Sequence, residues 1–171
     1  IRKLLRFVGR SGVDGVNYSS VARNLGITKY KAEQYLDCLE KAFVLHRVFP
    51  RGTNVLREPK VLMMPPCRLL YRDWEDAVGG LREDFFAHAM TQAGIPFHYL
   101  KTTRGTKTPD YVIDTDTGEL VIEVGGKGKG REQFKGFRAE RKLVLAHALV
   151  PEGGRVPLFL LGFLVAESVQ A

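Results

Sequence analysis

Apolar and polar positions change period several times along the chain, and each change predicts an element. Leu4, Leu5 and Val8 share one face of a short helical segment, Ile1–Val8. Gly12, Asp14 and Gly15 mark a turn. A second helix runs from Ser19 or Ser20 as its cap to Gly26 as its stop. Thr28 caps a longer helix, Lys29–Ala42, whose stripe is Ala32, Tyr35, Leu36, Leu39 and Phe43. Strands are expected over Val44–Phe49 and Lys60–Met64, with a loop at Pro50–Asn54 between them. Pro65-Pro66 breaks the pattern. An amphipathic helix over Leu81–Ala93 follows Gly79-Gly80, with Leu81, Phe85, Phe86, Ala89 and Met90 on one side. Strand-like runs come next at Phe97–Thr102, Asp110–Asp114 and Glu119–Val124, the last two joined by a hairpin turn at Thr115-Asp116-Thr117-Gly118. Gly125–Gly130 is a glycine- and lysine-rich loop before a helix over Arg131–Glu140. Leu143–Val150 and Val156–Val165 are apolar enough for buried strands.

Helix, short helix, turn, longer helix and β-hairpin make a winged helix-turn-helix pattern. The division expected is residues 1–66 for that domain and 67–171 for an α/β domain with a central mixed sheet. The net charge of +7 favours an anionic partner, nucleic acid above all. Cys38 and Cys67 lie far apart without a CxxC pattern, as in a reduced, cytoplasmic protein. The longest apolar run, Leu158–Val165, contains Gly162 and is too short to span a bilayer, so no membrane partner is expected. Ile1 is not a start methionine, and the chain reads as a piece of something longer.

Chemistry concentrates in three acids. Glu83 lies on a helix, Asp110 opens one hairpin arm, and Glu123 closes the other after Leu120-Val121-Ile122. The arms are antiparallel, so Asp110 and Glu123 become neighbours. A strand needs no charge at Glu123 to fold. Carboxylates converging there form a hard-oxygen site for Mg2+ or Mn2+, which can activate water and stabilise charge on a phosphate. Solvated strand ends and an exposed helix residue are the structural alternative. Lys127, Lys129, Arg131, Lys135, Arg138, Arg141 and Lys142 crowd the segment just beyond, opposed by Glu132 and Glu140 alone, as a phosphodiester backbone would require; the alternative is an ordinary solvated face. Lys29, Lys31 and Gln34 make the longer helix a candidate recognition helix, although Glu33, Asp37 and Glu40 oppose a phosphate backbone and suit a protein contact equally. The four histidines show no ligand spacing and read as surface or satisfied core residues.

Pro109-Asp110 and Glu123-Val124, after a helix carrying Glu83, resemble the PD-(D/E)XK nuclease superfamily, the restriction-endonuclease-like fold. That resemblance implies a metal held by Glu83, Asp110 and Glu123, with catalysis by Asp110, Glu123 and a lysine. The lysine belongs two residues after the second acid, where Gly125 stands. Lys127 has the same parity, about 6.6 Å further along an extended strand, and is the expected substitute; Lys129 is the second choice. The stretch Tyr35-Leu36-Asp37-Cys38-Leu39-Glu40-Lys41-Ala42-Phe43-Val44-Leu45-His46-Arg47-Val48 resembles the YLxxLExAFLLxRV segment of prokaryotic AAA+-type ATPases whose C-terminal half is a domain of unknown function with a nuclease-like ending. Val21–Thr28, Pro59-Lys60-Val61, Glu83–Ala87 and Ile122–Lys127 match that family in order, over residues 17–135. Met63–Cys67 departs from it, standing where a strand and an Asp-Thr-Gly-Leu turn are usual. The resemblance implies an attached ATPase domain that holds the ATP. No GxxxxGK[ST] loop occurs in these residues. Two functions remain open: a metal-dependent nuclease-like domain that binds or cleaves nucleic acid, or a degenerate DNA- or protein-binding module regulating the ATPase.

Overall fold

The protein is described from a computed structural model covering residues 1–12, 14–52, 58–100, 108–126, 134, 137 and 139–168, with side chains to residue 164. It is a mixed α/β chain that divides into two compact units, Ile1–His88 and Ala89–Ala171.

The first unit begins with three helices: α1 (Arg2–Arg10), α2 (Tyr18–Leu25) and α3 (Lys29–Lys41). Helix α2 is capped by Asn17 rather than by a serine. The Asn17 side chain accepts from Ser20 N–H, and the Ser20 hydroxyl accepts from Asn17 N–H, a reciprocal capping box. Gly26 ends the helix in the left-handed region, at φ 66°. Thr28 caps α3 by accepting from Lys31 N–H. The buried stripe of α3 is Ala32, Leu36 and Leu39. Tyr35 and Phe43 do not complete it: both are exposed, Phe43 because the chain leaves the helix at Ala42 and turns there with φ 57°.

Strands β1 (Leu45–Val48) and β2 (Lys60–Met63) form an antiparallel hairpin, Leu45 opposite Met63. Leu4, Val8, Val21, Leu36, Leu45 and Val61 join one core with α1–α3. Pro65-Pro66 starts a helix instead of only breaking one: α4 (Pro65–Arg68) has proline in its first turn, where the missing N–H costs nothing. Helix α5 (Trp74–Gln92) starts seven residues before Leu81 and runs through Gly79 and Gly80. Glu75 and Asp76 in its first turn suit the helix dipole, and the buried Ala77 continues the Leu81 stripe backwards.

The second unit carries a five-stranded mixed sheet in the order β3-β4-β5-β6-β7. These are β3 (His98–Tyr99), β4 (Tyr111–Thr115), β5 (Gly118–Gly125), β6 (Arg141–Ala146) and β7 (Arg155–Pro157). The β3–β4 and β4–β5 pairs are antiparallel; β5–β6 and β6–β7 are parallel. Thr115 pairs with Gly118 across a two-residue turn. Three expectations need correction. Leu149 and Val150 are exposed, and β6 instead starts at Arg141 and ends at Ala146. The predicted strand over Val156–Val165 is a strand only to Pro157, which has no N–H to extend a ladder. A 3-10 turn, Leu158–Leu160, and helix α6 (Leu161–Ser168) follow, since an all-apolar run has no period to separate strand from helix. Most of the helix expected over Arg131–Glu140 lies outside the described residues; of those described, Phe134 is in a 3-10 turn and Phe137, Ala139 and Glu140 are not helical.

Candidate active site

Asp110 and Glu123 are positioned by the β4–β5 ladder. Tyr111 pairs with Ile122 in the last rung, so Asp110, one residue before it, comes beside the stretch of β5 that carries Glu123. Opposed residues on antiparallel strands lie roughly 4.5–5.5 Å apart at Cα. The Val124 N–H donates to Asp110 Oδ2 (2.9 Å), and the Leu100 N–H donates to the Asp110 carbonyl (3.0 Å). The residue is thus tied from both sides, its backbone beside β3 and its carboxylate on β5.

Strand parity sets the face. Val112 opposes Val121, so Val112, Val121 and Glu123 point to the same side, and Asp110, just before β4, turns its carboxylate to the β5 backbone at Val124. Val144 of β6 opposes Glu123 on that side. Val112, Val121 and Val144 form a small core with Phe134, against which Leu100, Phe137 and Ala139 pack. Glu123 is 1% exposed, on the central strand of the sheet, with Ile122 and Val124 on either side. Burying a carboxylate in such surroundings is costly unless it is compensated.

Gly125 stays in the β5 ladder opposite Ala146, and its carbonyl accepts from His147 N–H (2.9 Å). The position two residues past Glu123 therefore has regular strand backbone and no side chain. Lys127, Lys129, Arg131, Lys135 and Arg138 belong to the connection between β5 and β6 but lie outside the described residues.

Glu83 is engaged within the first unit. The Lys60 ammonium of β2 donates to Glu83 Oε2 (2.5 Å) and to Asp14 Oδ1 (3.0 Å). Burial works against the Lys60 charge, but Glu83 and Asp14 outweigh it and hold the ammonium above its ordinary range. Among the described residues, no group of three or more His, Cys, Asp or Glu side chains is arranged to hold a metal ion. Two carboxylates at neighbouring strand ends still offer hard-oxygen donors, about four lone-pair sites each.

The principal buried polar network was not anticipated. Arg68 and Asp84 are both essentially fully buried. Arg68 Nε and Nη2 donate to the two Asp84 oxygens, the second at 3.0 Å, and Met63 N–H donates to Asp84 Oδ1 (2.9 Å). Arg68 Nη1 reaches the carbonyls of Val8, Gly9 and Ser11, at 3.5, 3.4 and 3.1 Å, and so serves the open C-terminal end of α1. Burial holds the Asp84 carboxyl above the usual carboxylate range even with Arg68 against it. At Gly9 an added Cβ would come within 2.6 Å of the Tyr71 ring, so this close approach requires glycine. Asp84 falls in phase with Ala77 and Leu81 on α5, and a charge within an apolar stripe was the available signal.

His46 and His88 also depart from expectation. Their rings lie 5.6 Å apart, centroid to centroid. His46 Nε2 and His88 Nδ1 are buried without a hydrogen-bond partner among the described residues. Burial pushes both imidazoles below the ordinary histidine range. For His46 the His88 charge adds to the lowering and Glu40 opposes it.

On α3, Lys29 pairs with Glu58 (2.5 Å), and Asp37 pairs with Lys41 and Arg47 at 2.7 and 2.8 Å. No helix among the described residues is long and apolar enough to cross a membrane. No curated protein and no solved structure matches the chain. Residues 1–65 match a family model described as a domain of unknown function (DUF8612), which covers less than half of the chain.

Proposed function

We propose that the second unit is a nuclease-like domain that acts on nucleic acid, with Mg2+ or Mn2+ held by Asp110 and Glu123. The observation that carries this reading is the register of the β4–β5 ladder, whose last rung, Tyr111–Ile122, leaves Asp110 and Glu123 as next neighbours, with the Asp110 carboxylate held by Val124 N–H. A helix, three antiparallel strands and a further strand parallel to the third support the restriction-endonuclease-like reading of the fold. Three helices and a hairpin in the first unit support the winged helix. A divalent ion at this position would activate water and offset charge on a phosphate. Asp110 is oriented for that role by the Val124 N–H, while Glu123 is fixed by its strand. Lys127, in the following connection, is the residue proposed to handle the water's proton. Lys129, Arg131, Lys135 and Arg138 would meet the phosphate backbone. An attached AAA+-type ATPase, with its own ATP site, and a cytoplasmic setting complete the proposal.

The second reading has its own observation. Gly125 occupies the lysine position as ladder backbone, which favours a degenerate domain that binds DNA or protein and regulates the ATPase. Incubation of the full chain with plasmid and single-stranded DNA in Mg2+ or Mn2+ separates the two. Cleavage that disappears in Asp110→Asn and in Lys127→Ala supports the enzyme. Salt-sensitive binding without cleavage supports the degenerate domain. Absence of both removes nucleic acid from the proposal.

A further inference from the structure

Helix α1 carries Arg2, Lys3, Arg6 and Arg10 and no acid. Leu4 and Val8 bury its opposite side in the first core. At 3.6 residues per turn, Lys3, Arg6 and Arg10 span roughly 60° of the helix circumference and about 10 Å of its length. These three line an open groove of about 360 Å³ together with Phe7, Ser11 and Asn24, the last from α2. All three cations are exposed, and among the described residues none of them is in an ion pair. The contrast with α3 is direct, because there Lys29 and Lys41 are matched by Glu58 and Asp37.

We propose that this groove binds the phosphodiester backbone of a nucleic-acid strand, with Lys3, Arg6 and Arg10 on successive phosphates. Strand phosphates advance about 3.4 Å each along a duplex axis, so about 10 Å of helix faces three of them. Arginine forks match phosphate oxygens two at a time. Asn24 adds amide donors on the far wall, and the half-buried Phe7 gives the floor an apolar surface for a sugar or base. A concave groove admits a strand, whereas a bilayer surface cannot follow it inward. The site lies wholly within the first unit and does not depend on Asp110 or Glu123.

The test is fluorescence anisotropy with the full chain, a labelled 20-nucleotide single strand and a 20-base-pair duplex, across 25–200 mM KCl. The variant Lys3→Gln/Arg6→Gln/Arg10→Gln is expected to weaken binding at least tenfold at 50 mM. Its log–log salt slope should be shallower by about two to three, or roughly 0.7–0.9 per lost contact. Whichever probe loses more identifies single strand or duplex as the ligand. A Lys41→Gln control on α3, where Asp37 already matches the charge, is expected to cost less than twofold. Should the triple variant melt well below wild type, Arg10→Gln alone carries the test, with a slope shallower by about one. The proposal is overturned if wild type binds neither oligonucleotide, if the α1 variants bind as wild type does, or if the α3 control costs as much. Capture by phosphatidylserine vesicles or an acidic peptide, with no binding to either oligonucleotide, also overturns it. The melting shift of the same variant in Mn2+ reports separately on the acidic position of the second unit.

Discussion

In the first unit, Asp84 lies against Arg68, Glu83 against Lys60, and Glu40 against Arg47. In the second, Asp110 is held by a backbone N–H, and Glu123 by its place on a central strand opposite Val144. A carboxylate matched to a cation is neutralised locally and tends to be structural. A carboxylate oxygen oriented by an amide is a hard donor of the kind a divalent cation takes. Glu83, predicted as a ligand, is engaged by Lys60, while Asp110 and Glu123 come together at the end of the β4–β5 ladder.

The largest expected effect breaks the structural side of the comparison. Asp84→Ala leaves the Arg68 guanidinium buried without its carboxylate, which should cost about 3–5 kcal/mol. Urea unfolding with a first-unit probe measures it. A loss within about 0.5 kcal/mol, the range of surface changes, would show that the pair does not hold the unit together.

A smaller effect involves His46, which is buried, and His88, which is half-buried, a pair with no opposite charge in it. His46 and His88 titrate lower in the folded protein than in the unfolded chain, where histidine titrates near about 6.5. The unfolded state therefore takes up protons first. The stability they contribute is present above about pH 6.5 and is lost as pH falls through their lowered folded values. Urea midpoints measured from pH 7.5 to pH 5 should fall, and His46→Phe/His88→Phe should flatten that fall. An unchanged slope in the double variant would place the acid sensitivity elsewhere.

The same contrast separates what could be read from the sequence from what could not. Helices α1–α3 and the β1–β2 hairpin follow local patterns: a 3.6-residue stripe, Thr28 as a cap, Gly26 as a stop. The β4–β5 hairpin is equally local, so its antiparallel pairing, which brings Asp110 near the end of β5, was readable. Long-range matching was not. Nothing near Arg68 reveals that it spans to Asp84 and to the end of α1, and nothing near Glu83 reveals Lys60. Gly79-Gly80 read as a boundary because glycine disfavours helix, yet the burial of Ala77 and Leu81 overrides that preference. The run after Pro157 was ambiguous because every position is apolar.

The most direct test of the central claim is the melting temperature of the second unit's transition in the full chain, with and without Mn2+. An ion at ten times its dissociation constant stabilises the folded state by about 1.4 kcal/mol, a shift of several degrees for a unit of this size. Wild type should show that rise, and Asp110→Asn or Glu123→Gln should lose most of it. A melting temperature that does not respond to millimolar Mn2+ or Mg2+, or a rise that survives both substitutions, would contradict a metal position at Asp110 and Glu123.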